Sequence, residues 1–153
     1  AIEANWETQN GAPLVLFALP DEETKTNKYA IEIPKGASFI LTHDPDGELV
    51  GLDQYEGEHA PVFKVFWSFR VMVGIGLLML VVAWAAAWNL WHNKEPSPLV
   101  TKALVGMTFS GWVATLAGWY VTEIGRQPWL ATGFLKTEDA VAPVPGAHVG
   151  LSL

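Results

Sequence analysis

The run Val71–Trp91 reads VMVGIGLLMLVVAWAAAWNLW, and it decides the architecture. It contains no charged residue, and the uncharged stretch continues to Asn93 if His92 is neutral. A helix rises 1.5 Å per residue, so about 20 predominantly apolar residues cross a hydrocarbon layer roughly 30 Å thick. The run meets that length and predicts a transmembrane helix over residues 61–92. Pro61 suits its start, where a missing N–H has no intrahelical partner to lose. Lys94-Glu95-Pro96 ends it.

A second uncharged run, Ala103–Thr122, lies between Lys102 and Glu123. Ser97-Pro98 reads as N-cap and first helical position, while Gly125 and Pro128 supply a stop, which predicts a second span over residues 98–125. Gly106, Ser110, Ala114 and Gly118 recur every fourth residue. They are either a ridge that lets another backbone approach closely in lipid, or ordinary small residues of a membrane helix. The connection, residues 93–97, is short enough to require antiparallel helices. The expected fold is therefore an all-α integral membrane protein. It consists of an antiparallel transmembrane helix hairpin with an extramembrane loop segment, part of a larger helical bundle. In such a hairpin Arg70 and Met72 lie level with Glu123 and Arg126.

Residues 1–60 are read as extramembrane. Ile2–Thr8 offers one or two helical turns around Trp6. Tyr29–Ile33 alternates like a strand, Ser38–Thr42 is a second strand candidate, and Asp44-Pro-Asp-Gly is a strong turn signal. Residues 126–153, rich in Ala, Pro, Gly and Val towards the end, read as an extended tail. The chain begins at Ala1 with no signal-peptide pattern and reads as a mature chain, a domain or a fragment.

Composition narrows the function. Of 153 residues half are hydrophobic and 16% charged, which argues against disorder. The absence of Cys excludes disulfides, thiolate metal sites, iron–sulfur clusters and a cysteine nucleophile. The net charge of −7 makes nucleic acid an unpromising partner. Residues 1–61 hold twelve acids and three bases, whereas residues 62–153 hold four and six, so the acidity belongs to the first segment. Bases flank both ends of the helices, and the positive-inside rule leaves orientation open.

Ionisable residues at membrane depth are costly and usually functional. Arg70 either snorkels to the headgroups or pairs with an anionic group of a cofactor. Met72 is either core filler or, through its thioether, an axial ligand of haem iron. Glu123 and Arg126, three residues apart on one face, either neutralise each other or form, with Trp119 one turn earlier, the edge of a site for a large planar anionic cofactor. Trp84, Trp88 and Trp91 read as an aromatic belt at the opposite interface. His43, His59, His92 and His148 lack metal-ligand spacing and read as solvated. No nucleotide-binding, zinc-protease or nucleophile-elbow motif occurs.

Four strings carry a specific likeness: AIEANWET from Ala1, TNKYAIEIP from Thr26, FWSFRVMVG from Phe66, and GWYVTEIGRQPW from Gly118. Together they resemble, in order and over essentially the whole chain, the C-terminal half of subunit I of cytochrome bd-type quinol oxidases. The resemblance implies oxidation of membrane quinol coupled to four-electron reduction of dioxygen to water, through a low-spin haem b, a high-spin haem b and haem d. It implies that Met72 is the axial methionine of the low-spin haem and that Arg70 stabilises that haem's reduced state. Glu123 would ligate or flank the high-spin haem, with Trp119 and Arg126 in the same environment. Glu3 would be an acid of the quinol-binding loop.

The resemblance further implies a multi-pass protein of the bacterial inner membrane, with residues 1–60 and the tail periplasmic and residues 93–97 cytoplasmic. Protons would be released outside and taken up inside, building a gradient without a pump. Subunit II and the N-terminal half of subunit I, which bears the family's histidine ligands, are the implied partners. The loop resembles the short type. A basic quinol-site residue would precede Ala1 and a final span would follow Leu153, so the expectation is a fragment inactive alone. The alternative from another class is a haem-free two-span scaffold or assembly protein.

Overall fold

The computed structural model describes residues 1–140 except Glu56, Lys94, Pro96 and Thr132. Its longest element is a 32-residue helix, α2 (Val62–Asn93). At 1.5 Å per residue that is about 48 Å, more than a hydrocarbon layer needs. The surplus lies at the N-terminal end, where Val62, Val65 and Phe66 are buried in protein. Pro61 sits just outside the helix and its carbonyl accepts the Val65 N–H at 3.2 Å. From Val71 onward, many of the large apolar side chains are exposed. Val62–His92 and Pro98–Gly125 are both long and apolar enough to cross a membrane.

The second stretch is not one continuous helix. It comprises α3 (Pro98–Gly106) and α4 (Ser110–Gly125). Ser97 caps α3 as expected, its side chain accepting from Val100 N–H at 3.4 Å, with Pro98 in the first turn. The break follows Gly106, where Thr108 and Ser110 hydroxyls bond the Val105 and Met107 carbonyls, each at 2.7 Å. Hydroxyls that occupy backbone acceptors locally weaken and bend helices.

α4 packs along α2. Two glycines mark the register. A Cβ on Gly118 would lie 2.9 Å from Met72 Sδ, and one on Gly125 would lie 4.0 Å from Val65 Cγ1. Gly106, at the other end of the small-residue series, faces open space. Met72 is thus opposite Gly118, not Glu123. Five residues separate those two positions on α4, an offset of about 7 Å along its axis.

The all-α expectation fails in residues 1–60, which are organised by strands. β1 (Gln9–Asn10) pairs antiparallel with β4 (Glu48–Leu49), and β2 (Leu14–Asp21) with β3 (Thr26–Ile33). Register runs from Leu14 opposite Ile33 to Asp21 opposite Thr26. At the tip, Asp21 Oδ1 accepts the Glu23 and Thr24 N–H groups at 3.0 and 3.3 Å, and Lys28 Nζ reaches Asp21 Oδ2 at 2.5 Å. Tyr29–Ile33 is part of a strand as expected. Ser38–Thr42 is instead the body of a short helix, α1 (Gly36–Thr42). There Ser38 is buried, accepting from Ala12 N–H at 2.7 Å and donating to Gly47 O at 2.8 Å. These tertiary bonds outweigh the strand propensity of its apolar run. Ile2–Thr8 contains a single turn, Ala4 N–H to Ala1 O at 3.1 Å, and no helix. The Asp44–Gly47 turn forms, with Gly47 N–H donating to Asp44 O at 3.1 Å.

The core lies where this segment meets the first turns of α2. Ala4, Trp6, Val15, Ala18, Val62 and Phe66 form its buried cluster. Trp6 is fixed by Nε1 donating to Asn27 Oδ1 at 2.9 Å, while Asn27 Nδ2 donates to Ala4 O at 3.0 Å. After α4, residues expected to be extended fold back as β5 (Trp129–Ala131) against β6 (Leu135–Lys136), followed by a 3-10 turn at Glu138–Ala140. The rest of the tail, including His148, lies outside the described residues.

Candidate functional site

The site is built on Phe66–Met72, two turns of α2 that emerge from the core. Phe66 is fully buried, and Trp67 packs edge-on against Phe17 of β2 with ring centroids 5.1 Å apart. Four residues after Phe66, on the same face, the Arg70 guanidinium carbon lies 3.5 Å from the Phe66 ring centroid. A cation over an aromatic face is held there by the ring quadrupole.

Arg70 then gathers two separate pieces of the chain. It donates to the carbonyls of Ile2 and of Val15, and its Nη2 lies 3.0 Å from Glu3 Oε2. The two charged side chains are only 14% and 21% exposed. The salt bridge is therefore largely desolvated, where pairing matters far more than at an open surface. The expectation that Arg70 snorkels alone is set aside: the chain's first turn and strand β2 both hang on it.

Two donors on this stretch of α2 have no acceptor. Arg70 Nε and Trp67 Nε1 are buried and form no hydrogen bond. A buried unsatisfied N–H costs about 1–3 kcal/mol, so such groups in a native fold await a partner. These N–H donors and the Met72 thioether, two residues beyond Arg70, are chemically the kinds of group that the carboxylates and the iron of a haem take: donors for anions, and a soft ligand. Among the described residues no cluster of three or more His, Cys, Asp or Glu could hold a bare metal ion.

A cavity of about 890 Å³ opens between residues 1–60 and the end of α4. Glu3, Tyr55, His59, Arg126 and Trp129 bring polar groups to walls otherwise largely apolar, such as Ile2, Val65 and Val121. That size and lining are typical of sites for cofactor-sized or smaller organic ligands. Glu3 and Arg126, far apart in sequence, thus share one chamber.

The other expected site residues separate. Glu123 and Trp119 are on the exposed face of α4. Among the described residues no ion pair joins Glu123 to Arg126. Among the described residues Trp119 neighbours the ring of Tyr120, at 6.0 Å. Trp84, Trp88 and Trp91 are 71%, 70% and 87% exposed along α2, and Trp88 stacks on His92 at 4.3 Å.

His59 is the residue that sequence reasoning missed. It is half-buried in the cavity wall, not solvated, and lies edge-on to Trp6 with centroids 6.5 Å apart. Its Nδ1 is 3.0 Å from Ala60 O. A carbonyl acceptor requires that nitrogen to carry the proton. No spacing in the sequence signals this placement, because Ala1–Glu3 and α4 reach His59 only through the fold.

Comparison with known proteins agrees with the geometry. The family model for cytochrome bd terminal oxidase subunit I matches residues 1–153. A cytochrome bd ubiquinol oxidase subunit 1 of Bacillus subtilis (strain 168) is 31% identical over 156 residues, covering 94% of this chain and 33% of the relative. A cytochrome bd-II ubiquinol oxidase subunit 1 of Escherichia coli (strain K12) is 25% identical over 221 residues, covering 100% of this chain and 43% of that protein. Alignment over more positions than the chain possesses means that the second relative carries inserted residues. The structure of bd oxidase from Geobacillus thermodenitrificans superposes with a TM-score of 0.80 at 32% identity, covering 99% of this chain and 35% of that one. The chain spans about a third of the length of the first of these relatives and of the solved structure.

Proposed function

The chain belongs to the cytochrome bd terminal oxidase subunit I family, and on that premise we propose that it is part of a haem-bearing respiratory oxidase that oxidises membrane quinol and reduces dioxygen to water. The observation that carries this reading is the Arg70–Glu3 salt bridge, which fastens the carboxylate of the quinol loop to the helix bearing Met72. Two apolar helices and the family support a bacterial membrane protein. We place α2 and the α3–α4 stretch as an antiparallel transmembrane hairpin, a reading supported by the pairings Met72 with Gly118 and Val65 with Gly125. Residues 1–60 and the end of α4 then share one side, taken as periplasmic.

When bound, the haems supply one-electron steps between quinol and dioxygen. Met72 would hold the low-spin haem b through its sulfur. Arg70 Nε and Trp67 Nε1 stand ready as donors to its propionates, and the Arg70 cation offsets their charge. Glu3 binds Arg70 through Oε2, leaving Oε1 to take the proton from a quinol hydroxyl in the cavity. Loss of that proton on the outer side builds a gradient without a pump. Glu123, with Trp119 and Arg126, serves the high-spin haem b and haem d. The exposed faces of α4 are then covered by the rest of subunit I and by subunit II.

Steady-state quinol oxidation by the intact parent oxidase tests the role of Glu3. Glu3→Gln lowers kcat while haem content stays unchanged. Undiminished turnover removes Glu3 from quinol oxidation.

A further inference from the structure

We infer that Gly118 is the positioning residue for the Met72 thioether: its missing side chain is the notch on α4 that sets where the sulfur sits. The inference rests on the reading of Met72 as a haem ligand. A Cβ built on Gly118 would stand 2.9 Å from Met72 Sδ and 3.8 Å from Met72 Cγ, with no other atom outside its own helix backbone and chain neighbours within 4 Å. Cβ atoms essentially never come within 3.0 Å of a neighbour, so alanine and the present sulfur position are incompatible. The obstacle is the far end of an unbranched, flexible side chain rather than backbone. The least costly response to an added methyl is therefore to displace the sulfur, not to separate the helices.

This specificity belongs to Gly118 and not to glycine in the span generally. Gly111 on α4, and Gly74 and Gly76 on α2, face open space within 4 Å. Alanine at those positions changes helix propensity in the same direction without meeting Met72. Sulfur position matters because an axial ligand acts through the iron–sulfur bond, and moving it weakens the ligand field and shifts the haem potential.

The test uses the intact parent oxidase in membranes, with reduced-minus-oxidised spectra and redox titration of the low-spin haem. Gly118→Ala is expected to diminish or shift the low-spin band and lower its midpoint potential, leaving the high-spin band and total haem unchanged. Gly111→Ala is expected to change neither. An unaltered low-spin haem in Gly118→Ala, where Met72→Leu does alter it, overturns the inference but spares the ligand. An unaltered band in Met72→Leu overturns the ligand reading and the inference with it. Should Gly118→Ala lose all haem, the double variant Gly118→Ala/Met72→Ala decides. Recovery of the high-spin haem shows that the methyl acted through Met72, and failure to recover overturns the inference.

Discussion

Arg70 Nη2 and Glu3 Oε2 meet at 3.0 Å across 67 residues of sequence, joining the first turn of the chain to the helix that carries Met72. Arg70 also holds the carbonyls of Ile2 and Val15, so it fixes the loop's position as well as the carboxylate's charge. Removing either charge leaves the other largely desolvated and unpaired, which costs more than removing both. Glu3→Gln and Arg70→Gln should therefore be non-additive. In a double-mutant cycle on the quinol KM of the parent oxidase, we expect a coupling of about 1–2 kcal/mol. Strict additivity shows that the salt bridge does not act in quinol binding.

The backbone of the loop has little room at Gly51. A Cβ there would lie 2.3 Å from the Glu7 carbonyl carbon and 2.5 Å from Thr8 N, both main-chain atoms that cannot swing aside. Gly51 N–H also donates to Thr8 Oγ1 at 2.9 Å. Gly51→Ala is expected to cost about 1–3 kcal/mol by overpacking. Limited proteolysis of the parent oxidase reads this directly as faster cleavage within residues 1–60. Gly57→Ala, with nothing within 4 Å, is the spatial comparison, although its positive φ of 76° adds backbone strain.

The β2–β3 tip carries a pH-dependent contact. The Lys28 ammonium, with help from the Thr24 and Glu23 N–H groups, lowers Asp21 from 3.8 to about 2, and the carboxylate in turn raises Lys28. A depressed carboxyl pKa means that the contact is fully present above the ordinary value near 3.8 and is lost as pH falls through about 2. The pair is solvent-exposed, so the readout is titration rather than global stability. The carboxyl 13C shift of labelled Asp21 should have its midpoint near 2, moving back towards 3.8 in Lys28→Gln. A midpoint near 3.8 with Lys28 present contradicts the contact.

Glu123 is exposed on α4 and has no ion-pair partner among the described residues. Glu123→Ala in the parent oxidase is expected to deplete the high-spin haem and abolish oxygen reduction, while the low-spin band persists. Full oxidase activity removes Glu123 from the site.

The two apolar spans were legible because an uncharged apolar run of about 20 residues matches the thickness of a bilayer. The strand at Tyr29–Ile33 showed its alternation. Its partner Leu14–Asp21 did not, since LVLFALPD is nearly continuously apolar and periodicity is silent there. Ser38–Thr42 misled because its burial depends on hydrogen bonds to Ala12 and Gly47, which no local pattern encodes. The break at Met107–Phe109 depends on where two hydroxyls turn, a choice that sequence leaves open. In the site, Arg70, Met72, Glu123 and Glu3 stood out through chemistry and resemblance. The Arg70–Glu3 contact, the unpartnered donors of Arg70 and Trp67, and His59 in the cavity wall are long-range consequences of folding.

Met72 is proposed to place a sulfur ligand on the low-spin haem beside the quinol loop. The most direct measurement is the reduced-minus-oxidised absorption spectrum of the intact parent oxidase bearing Met72→Leu. Loss of the low-spin haem band, or its conversion to a high-spin form, is expected, with the remaining haems retained. An unchanged low-spin band at an unchanged midpoint potential would contradict it.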